Sequence, residues 1–397
     1  MLIGIVGGPN RGKSTLFKAA TLANVLIANY PFATIAPNKG FGFVRVHDAA
    51  QDFNKTASPR TGYVQAGFRF VPVELLDVAG LVPGAHEGKG RGMDFLDDLN
   101  MADALVQVID VSGSVTIEGE PAEPGTTDPA EDIRFLEVEL DHWYARILKN
   151  GWDRFARMIQ NTQDQVPRAV AKQLSGVRVT EDMVVAGMKE LKLPVGIVDW
   201  TDAHVFAFAR YCRIRTKPMI VAANKIDKPG AQVALEKIRR EFPHITIIGV
   251  SAEVELALKE ASKHGLISYV PGSSSFTVPD PQKLTPGQQK AVTFMETFLQ
   301  THDTTGVQQV LDSIVFDTLK CIAVHPGGAS KLEDSQGRTL PDCFIMPPNT
   351  TALDFAFRLH TDFGNKFIRA VDCRSKLPRG KDYVVKHLDI LEIVAGR

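Results

Sequence analysis

Short apolar runs, each closed by a polar or glycine-bearing turn, recur through the first two thirds of the chain. Leu2–Val6, Gly40–Val46, Val73–Leu76, Ala104–Asp110, Pro218–Ala223 and Ile245–Val250 each read as a strand. Thr15–Ala20 can continue the first of them as a helix. A different period sets in after the fourth. Ile133, Leu136, Leu140, Trp143 and Ile147 recur at three- and four-residue steps, which places them on one stripe of a helix. That stripe needs a partner, and the segment carrying Val198, Val205, Phe208 and Cys212 can supply it. Between strand and stripe, Ser112–Pro129 is rich in Ser, Gly, Pro, Thr and Glu and reads as an exposed linker.

The last third opens on helical patterns around Pro286–Phe316. Lys320–Val324 and Asp342–Met346 follow as strands, and Pro347–Thr350 punctuates ahead of a helix whose inner face includes Ala352, Leu353, Ala356 and Leu359. Lys366–Val371 and Asp389–Val394 are later strands. Two strands, a helix and then more strands are what a β-grasp fold requires.

At 397 residues the chain is long for one core, so two or three domains are expected. A net charge of −1 offers no global field for nucleic acid, so any RNA contact must come from a local patch. One such patch is near the end, where Lys366, Arg369, Arg374, Lys376, Arg379, Lys381 and Lys386 outnumber Asp372 and Asp382. No apolar run approaches the roughly 20 residues of a membrane span. The first strand begins at Leu2, leaving no room for a leader, and a cytoplasmic protein is expected. Cys212, Cys321, Cys343 and Cys373 are scattered without a C-x-x-C pair, which argues against a disulfide framework and against zinc.

The first strand runs into Gly7-Gly8-Pro9-Asn10-Arg11-Gly12-Lys13-Ser14-Thr15, a G-x-x-x-x-G-K-[ST] loop. Backbone N–H groups of such a loop turn inward around a triphosphate, Lys13 reaches the outer phosphates and the Ser14 hydroxyl is placed to ligate Mg²⁺. A second strand ends at Asp77-Val78-Ala79-Gly80. There Asp77 can hold a water on Mg²⁺, and Gly80 can offer its N–H to the γ-phosphate. A third strand ends at Asn224-Lys225-Ile226-Asp227, where the carboxylate of Asp227 accepts from two donors on the guanine edge. A fourth ends at Ser251-Ala252-Glu253, where the Ala252 N–H can meet the guanine oxygen. Thr34, in the loop before Gly40, is chosen to complete the Mg²⁺ shell. Each motif is weak alone; four in order at strand ends make a strong signal.

Gly7–Thr15, Asn29–Asn38, Asp77–Gly88 and Ser251–Glu253 together resemble the Obg-like GTPases, and more narrowly the YchF subfamily. The resemblance implies an α/β P-loop NTPase G domain interrupted by a helical, coiled-coil-like insertion and followed by a β-grasp TGS domain. The expected layout is a G domain over 1–115 and 215–275, the insertion over 116–214, a helical connection over 276–317 and the TGS domain over 318–397. Nucleotide contacts fall to Asn10, Arg11, Gly12, Lys13, Ser14, Thr15, Asp77, Gly80, Asn224, Lys225, Asp227, Ser251 and Ala252, with Lys13, Thr34 and Gly80 in the catalytic roles. The implied activity is slow GTP hydrolysis by a switch associated with the ribosome or structured RNA; a monomer is favoured, though the residues do not fix the oligomeric state. Many YchF-type proteins depart from N-K-x-D and favour ATP, whereas this chain keeps Asn224, Lys225 and Asp227, so GTP is expected over ATP or dual use. A nucleotide-stabilised scaffold with little turnover is the alternative.

Two positions bear on mechanism. Leu81 stands where Ras-type GTPases carry the glutamine that orients the attacking water, so intrinsic hydrolysis should be slow. Asn10 matches an asparagine that, in related translational GTPases, helps to hold a potassium ion beside the phosphates; K⁺ dependence is therefore an expectation at this residue.

Overall fold

In the computed structural model the described residues are 1–22, 38–78, 80, 99–162, 165–334 and 336–396. Thr34 and Leu81 lie outside them. In chain order the elements are β1 (Leu2–Val6), α1 (Lys13–Thr21), β2 (Lys39–His47), β3 (Tyr63–Gln65), β4 (Phe68–Asp77) and β5 (Ala104–Asp110). Helices α2 (Pro129–Lys149), α3 (Trp152–Thr162), α4 (Val166–Gln173), α5 (Glu181–Glu190) and α6 (Asp202–Thr216) follow, then β6 (Met219–Asn224), α7 (Ala231–Glu241), β7 (Ile247–Val250) and α8 (Ala252–Lys263). The remainder holds β8 (Ser268–Tyr269), β9 (Phe276–Thr277), α9 (Pro286–His302), α10 (Val307–Asp312), β10 (Ile322–Pro326), β11 (Phe344–Met346), α11 (Ala352–Leu359), α12 (Thr361–Asn365), β12 (Phe367–Asp372), β13 (Pro378–Arg379) and β14 (Ile390–Ala395). These residues form two compact units, Met1–Phe17 with Leu76–Val250, and Lys18–Leu75 with Ser251–Arg397.

In the first unit β1, β5, β6 and β7 form a parallel ladder in that order, with Val6 opposite Gln107, Asp110 opposite Asn224 and Asn224 opposite Val250. Every residue of β1 and β5 is buried, as the uninterrupted apolar runs of a covered parallel sheet require. The register sets the strands' carboxyl ends side by side, which is where open α/β sheets bind ligands. Leu2, Val6, Leu105, Leu136, Leu140, Trp143, Val205, Phe208 and Cys212 belong to one continuous apolar cluster. The helical region is thus built onto the sheet's own core: α2 packs against α6, as its stripe required, with α3, α4 and α5 between them in the chain. Asp128 starts α2 by accepting from the Ala130 N–H, and Thr201 starts α6 with a capping box closed by His204. Val198, expected on the apolar face, is 41% exposed, because Ile197 and Trp200 take the inward positions of that turn.

The second unit carries β2 beside β4, with β3 antiparallel to β4, and a C-terminal sheet of order β11-β10-β14-β12-β13. Its β10–β14 pairing is parallel and the other ladders are antiparallel. Ala352, Phe355 and Ala356 of α11 are buried beneath the cap made by Thr351, which directly follows the punctuating Pro347–Thr350 stretch. The same unit seats Ala49, Ala50 and Ala57 against Leu332, Leu340, Cys373 and Ile390. Arg69, fully buried, donates to the carbonyls of Leu340 and Pro341.

Candidate nucleotide site

The loop between β1 and α1 takes its shape from residues that accept positive φ. Asn10 has φ 58° and Gly12 φ 90°, and a Cβ on Gly12 would stand 2.2 Å from Asn224 Nδ2, so only glycine fits there. Asn224 uses that closeness: its Nδ2 donates to the Arg11 carbonyl at 3.0 Å. Lys13 Nζ donates to the Gly8 carbonyl at 2.7 Å, folding its ammonium back into the loop. Burial holds its pKa below the usual lysine value, opposed by Asp77. Thr15 follows in the first turn of α1.

Asp77 ends β4, and the Val78 N–H behind it donates to the Ile5 carbonyl at 3.1 Å. Ser14 Oγ donates to Asp77 Oδ2 at 2.9 Å, while Asp77 Oδ1 is buried with no hydrogen-bond partner among the described residues. Burial raises the Asp77 pKa against the pull of Ser14 and Lys13. A hydroxyl and a carboxylate with one orphaned oxygen form a hard-oxygen donor set beside the phosphate loop, and they fit Mg²⁺ held through Ser14 and through a water on Asp77. Gly80 stands next to Lys13, since a Cβ there would lie 3.3 Å from Nζ.

In the base-reading motif Lys225, at φ 70°, donates from Nζ to Asp110 Oδ2 at 2.9 Å, with Ser114 Oγ 3.4 Å away, and the short amide of Asn224 reaches the phosphate loop at the Arg11 carbonyl. Burial would raise the Asp110 pKa, but hydrogen bonds from Ser112, Lys225 and Ser114 outweigh it and hold the carboxyl below its ordinary value. Asp227 lies 3.5 Å from Lys228. Ser251 and Ala252 open α8 in the second unit, where Ser251 Oγ accepts from the Val254 N–H at 3.3 Å.

Ser112–Pro129 is exposed in part, as its composition suggested, with Glu118, Glu120, Pro121 and 123–126 at the surface, but it is not merely a linker. Ser112 and Val115 are buried, Val115 bridges Pro121, and the segment supplies acceptors to the phosphate loop. Asn10 Nδ2 donates to the Gly119 carbonyl at 2.8 Å, and Arg11 Nη1 to the Thr116 carbonyl at 2.9 Å. The Arg11 guanidinium is 3% exposed and spent on Asp132 of α2 and on the Thr116 carbonyl. Only the backbone of Arg11 is therefore offered to a ligand.

Asp110, Gly119 and Asp132 escaped the sequence reading. Asp110 carried a usable signal, a carboxylate at the end of an apolar strand with Ser112 and Ser114 just beyond it. Asp132 carried none, being 121 residues from its partner. In the C-terminal basic stretch, Arg374 is spent on Asp52 and the Leu388 carbonyl, Lys376 on the Ala329 carbonyl and Arg379 on Asp372.

A parallel sheet with a phosphate loop, a D-x-x-G carboxylate and an N-K-x-D motif at its strand ends defines a P-loop GTP-binding protein. Family models match in three stretches: a 50S ribosome-binding GTPase over residues 2–137, an Obg-like GTPase YGR210-like, G4 motif-containing domain over 222–327, and a TGS domain over 336–395. A GTP-binding protein of Methanocaldococcus jannaschii is 41% identical over 396 residues, covering 100% of this chain and 99% of its own. The chain belongs to the Obg-like GTPases. The crystal structure of a GTP binding protein from Pyrococcus horikoshii OT3 superposes with a TM-score of 0.77 at 35% identity, covering 100% of both chains. The ribosome-binding ATPase YchF of Bacillus subtilis is 29% identical over 273 residues, 66% of this chain and 68% of its own, so the YchF proteins are more distant kin than the resemblance implied.

Proposed function

We propose that this protein is a slow GTPase that works as a switch on the ribosome or a structured RNA in the cytoplasm. The hydrogen bond from Asn224 Nδ2 to the Arg11 carbonyl carries the reading, because it locks the base-reading motif onto the phosphate loop. Lys13 and the loop N–H groups would hold the outer phosphates and Gly80 would sense the γ-phosphate. Mg²⁺ would be held by Ser14 and Thr34, and by Asp77 through water, and would neutralise charge on those phosphates. Asn10, whose Nδ2 is committed to Gly119, has its amide oxygen to offer a K⁺ ion. Leu81 offers no group to aim water, which supports a slow rate without a partner.

Kinship with a ribosome-binding ATPase and a model named for 50S ribosome binding support the partner. The test is cosedimentation with ribosomes in GTP, GDP and nucleotide-free states, with single-turnover hydrolysis measured with and without ribosomes. State-dependent association and faster turnover are expected; no association in any state sinks the ribosome reading. Calorimetric titration with GTP and ATP tests the base reading, and tighter ATP binding would reverse it.

A further inference from the structure

A long cation inside a phosphate-gripping loop is expected to face the anion; Arg11 is instead spent on a carboxylate. Its Nε and Nη2 donate to Asp132 Oδ2 and Oδ1 at 2.6 and 2.7 Å, a bidentate pair in which the arginine side chain is 3% and the aspartate side chain 11% exposed. Asp132 stands in the first turn of α2, where the helical region leaves the sheet, and its carbonyl accepts from Gln107 Nε2 of β5 at 2.6 Å. The Arg11 carbonyl is meanwhile held by Asn224. This residue, between Asn10 at φ 58° and Gly12 at φ 90°, is therefore fixed at both its backbone and its side chain.

We infer that Asp132 is a positioning residue for the phosphate loop, so that the entry turn of the helical region sets how long a nucleoside diphosphate stays bound. The inference rests on the guanine-nucleotide site described above. Loop N–H groups bind phosphate only while they converge, and a chain with a positive-φ residue on each side of Arg11 has little intrinsic preference for that shape. The bidentate geometry fixes the guanidinium plane as well as its position. Without the carboxylate, a buried guanidinium is left uncompensated and must leave its pocket, carrying the loop backbone with it. Displacement of α2 by a partner would act through the same lever.

Release of a fluorescent GDP analogue, chased with excess GDP, tests this in the full chain. The variants are Asp132→Asn, Asp141→Asn as a control and the double variant Arg11→Met/Asp132→Met. Asp141 lies on the same helix and makes another buried pair, with Arg213 at 2.8 Å, remote from the loop. Both single variants should lower the melting temperature, but only Asp132→Asn should raise the release rate, by about tenfold or more, with association little changed. The double variant removes both charges and leaves no uncompensated buried ion; it should melt closer to the parent than Asp132→Asn does, yet still release GDP fast. A parent-like release rate in Asp132→Asn or in the double variant, or an equal rise in Asp141→Asn, overturns the inference. Failure of the parent itself to bind GDP would overturn the site reading and this inference with it.

Discussion

In the proposed site Asp227 and Lys13 would meet the two ends of a nucleotide, and their chemistry makes distinct demands. A carboxylate that accepts from both guanine donors discriminates steeply, because the wrong base leaves it unpaired. Asp227→Ala is expected to weaken GTP binding by at least about a hundredfold while leaving ATP binding nearly unchanged, as read by calorimetric titration. A second residue-scale effect concerns His325, fully buried on β10 with its Nδ1–H donated to the Asp342 carbonyl at 3.2 Å. Burial, helped by the neighbouring Arg69 cation, pushes its pKa down to about 3. The folded protein therefore keeps His325 neutral where the unfolded chain protonates it. Stability should fall as pH drops from about 6.5 toward 3, at up to about 1.4 kcal/mol per pH unit from this group. Denaturation midpoints across that window check it, and His325→Gln should flatten the slope by about one proton.

Among the elements, the Ser112–Pro129 segment shows most plainly what local pattern conceals. Its composition is that of a solvated connection, yet Gly119 lies against Pro9 and offers its carbonyl to Asn10. Gly119 has φ 94°, and a Cβ there would come within 2.6 Å of the Pro9 ring. Gly119→Ala should therefore lower stability by about 1–3 kcal/mol and loosen the phosphate loop, measured by chemical denaturation and by GDP affinity. The longer strands and the α2 stripe were readable because burial on a sheet face or helix face leaves a period in the sequence. The partner segment was readable through Val205, Phe208 and Cys212, but not Val198, since a single helical turn at 197–199 departs from the longer helix's phase. Hydrogen bonds to carbonyls leave no such trace, because every residue has a carbonyl to offer.

For the molecule as a whole, each compact unit is assembled from segments far apart in the chain. Within the second unit, the residues after β10 cover Ala49, Ala50 and Ala57 and satisfy Arg69, while Lys55 pairs with Glu333 at 2.7 Å. The exposed pair contributes little; the buried arginine with two carbonyls contributes far more. Arg69→Met is expected to cost about 2–4 kcal/mol by orphaning the Leu340 and Pro341 carbonyls, read by urea denaturation. Removing the chain beyond Leu319 should uncover the alanine surface and raise binding of a hydrophobic dye.

The sequence by itself determined the longer strands, though not the short β3, β8, β9 and β13, together with the order of the four nucleotide motifs and hence the class of ligand. These follow from contiguous residues whose spacing is enforced by backbone geometry and by the shape of a phosphate or a base. Only the tertiary structure decided which side chains hold those motifs in place: Asn224 on the Arg11 carbonyl, Lys225 on Asp110, and Arg11 on Asp132. Such pairings join residues about a hundred or more positions apart, and a charge or an amide in one stretch carries no mark of the partner that folding will bring to it.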